Sequence, residues 1–147
     1  MTTHSKLSPS SRHRWAYCPG SVREESKYPE RPSGQAAVEG THDHTLLEKC
    51  INEFHDAATY VGMKISDHEG EFMVEAERAE RVQVALNYIE RRAKELNCDK
   101  IIAERRVNPA PLVKRDDMSG TVDIQLLTDD VVEIVDYKGG INPTDAR

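Results

Sequence analysis

Two aspartates and a lysine near the C-terminal end have the types and spacing for phosphoryl chemistry. Asp123 and Asp136 lie in two strand-like runs, residues 120–127 and 131–138, joined by Thr128-Asp129-Asp130. A two-residue turn at Asp129-Asp130 sets Thr128 opposite Val131, and hence Asp123 opposite Asp136. Side chains directly opposed in this way share a face, with Cβ atoms about 4.5–5.5 Å apart. Lys138, two residues beyond Asp136, points the same way. Val132 and Ile134 do so too, which makes Asp136 the continuation of an apolar row. Two carboxylates this close repel unless one is protonated or a cation lies between them. A hard divalent ion such as Mg²⁺ suits oxygen donors, and the Lys138 ammonium can orient a water or offset charge on a phosphate.

His44 is the third candidate. It falls on a stripe of residues spaced three or four apart, Gly40, His44, Leu47, Ile51, Phe54, Ala58 and Val61, that predicts one face of a long helix from Gln35. Gly40, one turn earlier, leaves room for a close backbone approach. That stripe must pack on the sheet carrying Asp123 and Asp136, and an imidazole reaching the pair makes a mixed nitrogen and oxygen site open to Mn²⁺ as well as Mg²⁺. Glu104, on the preceding strand-like run, supplies a supporting carboxylate if that strand borders the hairpin. His42 points elsewhere on the helix, so His42-Asp43-His44 is not a chelating triplet. Arg14, Arg106, Lys114 and Arg115 are the candidates for contact with a phosphate backbone.

The elements follow from the pattern. Residues 8–18 predict a short helix with Ser8 as N-cap, Pro9 in its first turn and Pro19-Gly20 as its end, followed by an irregular connection over 22–33. The first long helix runs on to about Val61, and 66–70 is a break. A second helix over 71–96 carries Val82, Ala85, Leu86, Ile89, Ala93 and Leu96 on its apolar side, with Asn97 as its stop. Three strands complete the chain: 100–107, 120–127 and 131–138, ended by Gly139-Gly140 and Asn142-Pro143. The fold class is α+β, helices on a small, mainly antiparallel three-stranded sheet. A single domain spans 1–147: an N-terminal helix and linker over 1–34, two long helices over 35–97 and the catalytic sheet over 100–138.

Composition narrows the function. The 147 residues carry 26 acidic and 20 basic side chains, a net charge of −6, which excludes coating nucleic acid by bulk charge but not a local basic groove. No apolar run nears the ~20 residues of a membrane span, so no membrane partner is expected. Cys18, Cys50 and Cys98 are too few and too far apart for a zinc set or a disulfide framework, and read as reduced thiols of the cytoplasm. Neither a phosphate-binding Gly-rich loop nor a Gly-x-Ser-x-Gly elbow is present.

Taken in order, four motifs resemble the PD-(D/E)XK nuclease superfamily in its RecB-like branch, and in particular that branch's phage and prophage members. Leu7-Ser8-Pro9-Ser10-Ser11 through Trp15-x-x-Cys18-Pro19 is similar to the branch's Ser-rich helix ending in Cys-Pro. Glu39-Gly40-Thr41-x-x-His44 resembles its histidine motif, Gly120-Thr121-Val122-Asp123 its first acidic motif, and Asp136-Tyr137-Lys138 its acid-x-lysine motif. The resemblance implies a restriction-endonuclease-like core and a metal-dependent deoxyribonuclease, an exonuclease by analogy, in a bacterial host. It implies Mg²⁺ or Mn²⁺ on His44, Asp123, Asp136 and the Tyr137 carbonyl, with Asp123, Asp136 and Lys138 catalytic and 5′-phosphate and 3′-hydroxyl ends. Val122 stands where the superfamily has proline. Because no cysteine follows Cys98, no iron–sulfur cluster is expected. The branch continues past its lysine with a helix carrying Gln-x-x-x-Tyr and a further strand. Nine residues follow Lys138, so the core reads as incomplete, to be finished by a further segment or an oligomer. The second reading is a catalytically inactive module of the same fold that binds nucleic acid or protein.

Overall fold

The Ser-Pro start near the N-terminus nucleates a helix as its chemistry requires. Proline fixes its own φ and lacks only an N–H that a first turn leaves unused. The computed structural model describes residues 5–29 and 32–139. In it a 3₁₀ turn, Pro9–Ser11, leads into helix α1, Arg12–Tyr17. Ser8 has the extended N-cap backbone, but its hydroxyl meets Ser10 and Ser11 rather than a backbone N–H. Helix α1 ends with Cys18 as its C-cap, just before Pro19-Gly20, as expected. Pro19 caps a second helix, α2, Gly20–Glu25, where an irregular connection is expected from the sequence.

The chain forms two compact units. Residues 1–32 and 106–121 make the first; residues 33–105 and 122–147 make the second. Besides α1 and α2, the first unit contains α5, Ala110–Val113. Gly120 sits against Pro9, where a Cβ would meet the proline ring at 2.7 Å, so only glycine fits there.

The second unit is built on helix α3, Gln35–Glu53, and helix α4, Ala76–Glu95. Leu46, Leu47, Cys50 and Ile51 of α3 meet Val82, Leu86 and Ile89 of α4 in one core. Each fully buried leucine there contributes roughly 2 kcal/mol by leaving water. The helical stripe does not continue to Val61. Phe54 adopts a left-handed conformation (φ 56°, ψ 43°) and stops α3, and its ring is 93% exposed. A residue with a Cβ is strained in this region, whereas glycine is not. Phe54→Gly is therefore expected to raise stability by about 1 kcal/mol, read as a midpoint shift in urea unfolding with an unchanged slope.

Two short strands, β1 (Lys64–Ser66) and β2 (Glu71–Met73), pair antiparallel between the helices, so the second helix begins at Ala76 rather than at 71. Asn97 stops the chain's helical run in a left-handed conformation, the role its sequence position suggests. The main sheet has the order β3 (Lys100–Val107), β4 (Gly120–Leu127), β5 (Val132–Val135). β4 and β5 pair antiparallel with Ile124 opposite Val135 and Leu127 opposite Val132, the register that a turn at Asp129-Asp130 dictates. Ile124 and Leu126 enter the helical core. Val132 and Ile134, by contrast, are exposed, so the row that Asp136 continues faces outward. A mixed α+β fold is what the structure has. Among the described residues no helix is long and apolar enough to cross a membrane. The expected stop at Gly140 and Asn142-Pro143 lies outside the described residues.

Candidate metal centre

Three side chains from three elements converge: His44 of α3, Glu104 of β3 and Asp123 of β4. One donor atom from each lies within 4.8 Å of the others. His44 Nδ1 is 3.1 Å from Glu104 Oε1 and 3.8 Å from Asp123 Oδ2. Each is half-buried.

Glu104 reaches this point because the strand breaks its alternation. Ile101 and Ala103 pack on the core, so a regular strand would turn Glu104 to the opposite face. Glu104 instead has φ 48°, a left-handed residue in mid-strand that resets the direction of its side chain. For a residue other than glycine this costs of order 1–3 kcal/mol, a cost that the rest of the fold must offset. Asp123 is fixed by the Tyr137 N–H, which donates to its Oδ2 at 2.9 Å. The Tyr137 ring packs edge-on to the His44 imidazole, centroids 5.4 Å apart.

Asp136 is not part of this group of three. Strand pairing ends at Val135, one step before the aspartates, and Asp136 turns outward to accept a 2.8 Å bond from Lys138 Nζ. The structure brings Asp123 together with Glu104 and His44, while Asp136, exposed, is paired with Lys138. Gly40 does not serve the close backbone approach that its spacing suggests: a Cβ there would meet nothing within 4 Å.

The electrostatics follow from crowding acids around an imidazole. Burial alone would lower the His44 pKa, but its bond to Glu104 and the charges of Asp123 and Glu104 outweigh that and raise it above 6.5. The Asp123 carboxyl is pushed above the usual carboxylate range by burial first, and further by Asp136 and Glu104, against the opposing pull of His44 and the Tyr137 N–H. Burial, then Glu104, also raises Glu48. One imidazole nitrogen and two carboxylates, one of them costly to ionise, make a donor set that fits a hard or borderline divalent cation.

Behind the centre lies a buried charge network that the motif reading does not single out. Asp43, 1% exposed, accepts from Arg78 Nη1 at 3.1 Å and from Arg81 through both Nε (3.2 Å) and Nη2 (3.1 Å). Arg78 also pairs with Glu39. The Tyr137 hydroxyl donates to Asp43 Oδ2 at 3.4 Å, its own pKa raised by burial and by Asp43. Gly139 passes so close that a Cβ there would lie 2.8 Å from Asp43 Oδ2 and 3.1 Å from the Tyr137 hydroxyl. The signal for this network was position: Asp43 lies four residues before Leu47, and Arg78 four before Val82, each in line with the apolar side of its helix. His42, as expected, points away, stacked on Phe72 and bonded to Asp67 at 2.7 Å.

The four basic candidates all belong to the first unit. Arg14 pairs with Glu25 at 2.7 Å and Arg115 with Asp117 at 2.6 Å, while Arg106 donates to the Ser119 hydroxyl. Lys114 ends α5 with a left-handed backbone. Cys18, Cys50 and Cys98 are free thiols, and burial pushes the Cys50 thiol up to about 11.

No solved structure matches the chain. Residues 4–144 match the family model described as DUF2800, proteins of unknown function, and the chain belongs to that family.

Proposed function

We propose that the protein is a metal-dependent nuclease that hydrolyses phosphodiester bonds of DNA, using Mg²⁺ or Mn²⁺. The observation that supports this best is the convergence of His44, Glu104 and Asp123 within 4.8 Å, beside Lys138 and Asp136. In this reading His44, Glu104 and Asp123 hold the cation, with Asp136 and the Tyr137 carbonyl close by in the chain. When bound, the ion would make water a better nucleophile at neutral pH and offset charge on the phosphoryl oxygens. Tyr137 contributes through its backbone, whose N–H keeps Asp123 aimed into the site. Lys138 supplies a mobile cation at the rim: released from Asp136, its ammonium orients the attacking water or meets charge developing on the phosphate. Exonucleolytic action and a bacterial phage or prophage setting belong to the same proposal by family resemblance.

The test is cleavage of linear DNA by the full chain with Mn²⁺ or Mg²⁺. Degradation should require the metal and stop with a chelator. Lys138→Ala should slow it by roughly 10²–10³-fold while Mn²⁺ binding stays intact, since Lys138 is assigned to the transition state and not to the metal. Cleavage unaffected by this substitution would count against the assignment. Metal-independent binding of DNA without cleavage by the parent protein would favour the inactive-module reading instead.

The His44 shift gives the site a pH signature. A group whose pKa is raised on folding stabilises the fold fully below its unfolded value of 6.5, and that contribution fades as pH rises through the raised value. Without metal, the melting temperature should therefore fall as pH increases from about 6 to 8. A divalent ion replaces the proton, so millimolar Mn²⁺ should raise the melting temperature at pH 8 by several degrees and have little effect at pH 5.5. Equal shifts at both values would argue against His44 as a ligand.

A further inference from the structure

Charge is divided unevenly between the two units. Residues 1–32 and 106–121 carry nine basic and five acidic side chains, a net +4, although the whole chain is at −6. The acids in this unit are largely occupied: Glu24 pairs with Lys27, Glu25 with Arg14 and Asp117 with Arg115. Lys6, Arg12, Arg23, Arg106 and Lys114 have no acidic partner among the described residues. The unit also holds the chain's single tryptophan and two strongly exposed tyrosines, Tyr17 at 87% and Tyr28 at 73%.

Cations and aromatics meet in a cleft of about 590 Å³, within the size of small-ligand sites, lined among others by Lys6, Trp15, Val22, Arg23, Arg115 and Met118. Trp15 lines the cleft and is held there by its indole N–H, which donates to the Ser8 carbonyl at 2.9 Å, so the ring's polar edge is satisfied. Asp117 also lines the cleft, but Arg115 neutralises it through two bonds and, together with Lys6, holds its carboxyl below the usual range. Lys6 and Arg23 are left to meet an external anion.

We infer that this cleft binds single-stranded DNA, with a base against Trp15 and neighbouring phosphates on Lys6 and Arg23. Bases stacked inside a duplex offer no free face to an aromatic side chain, whereas an unpaired strand offers one at every nucleotide, and the charge tracks the backbone. The inference rests on the nuclease reading for the choice of DNA, and gives that reading strand-binding residues other than the metal ligands.

The experiment titrates the full chain with an oligo(dT) of about 12 nucleotides in the presence of a chelator, which removes hydrolysis from the measurement. Anisotropy of a labelled oligonucleotide reports binding anywhere on the protein, and emission of the sole tryptophan reports the cleft. Binding should quench Trp15, weaken linearly on a log–log plot against salt, and fall at least tenfold in Lys6→Glu/Arg23→Glu, with its melting temperature unchanged. Oligonucleotide binding without quenching, or unaffected by the charge reversals, would overturn the inference. So would a duplex bound as tightly as the single strand, quenching by inorganic phosphate at the same concentration, or no binding at all. Binding with quenching in a chain that fails to cleave with Mn²⁺ would retire the nuclease reading and leave the cleft assignment standing.

Discussion

Replacing Asp123 with asparagine should reduce DNA cleavage by at least about a thousandfold, or ~4 kcal/mol of transition-state stabilisation, without unfolding the protein. Asparagine keeps the volume and an oxygen to accept the Tyr137 N–H, so the bond that organises this end of the sheet survives. What disappears is the negative charge. In the metal-free fold that charge is a burden, because burial, Asp136 and Glu104 all raise the Asp123 pKa. The variant should therefore melt at the same temperature as the parent or slightly higher, and should lose the upward shift that Mn²⁺ gives the parent. Loss of cleavage together with a lower melting temperature would instead assign Asp123 a structural role. Full cleavage by the variant would remove it from the chemistry altogether.

The second large effect is structural. Asp43→Ala should destabilise the second unit by about 3–5 kcal/mol, seen as a fall of roughly 10–20 °C in melting temperature. Asp43 is 1% exposed and balances two guanidinium groups, and Arg78 is itself buried, with an Nε that already lacks a partner among the described residues. Removing the carboxylate leaves that cation with only Glu39 at its outer end. The same change frees the Tyr137 hydroxyl, so metal affinity should also drop modestly, because Tyr137 sets the position of Asp123. A melting temperature within 2–3 °C of the parent would mean that Arg78 finds water or another acid, and that the network carries little of the stability.

These two sites were not equally legible in the sequence. The hairpin register could be read because a two-residue turn fixes parity, and a slip of one would exchange the faces of every residue in β4 and β5. The apolar side of α4 was equally plain from its spacing. The inward row of β5 was not, because 131, 133, 135 and 132, 134, 136 both contain apolar residues; only the packing shows that Val132 and Ile134 face out. The end of α3 was hidden because Phe54, Ala58 and Val61 continue the helical spacing after the helix has stopped at a left-handed phenylalanine. Glu104 gave the least warning. A left-handed residue in a strand is ordinarily announced by glycine or asparagine, and a glutamate there carries no local signal, yet that turn is what brings its carboxylate to His44. Asp43 was readable in principle, as an acid in line with the apolar side of one helix facing an arginine similarly placed on the next.

Titration of the full chain with Mn²⁺, with free ion followed by electron paramagnetic resonance, bears most directly on the group formed by His44, Glu104 and Asp123. One ion per chain should bind, and His44→Ala, Glu104→Gln and Asp123→Asn should each weaken it at least tenfold. Parent-like affinity in all three variants, or no bound ion at millimolar Mn²⁺, would contradict the account.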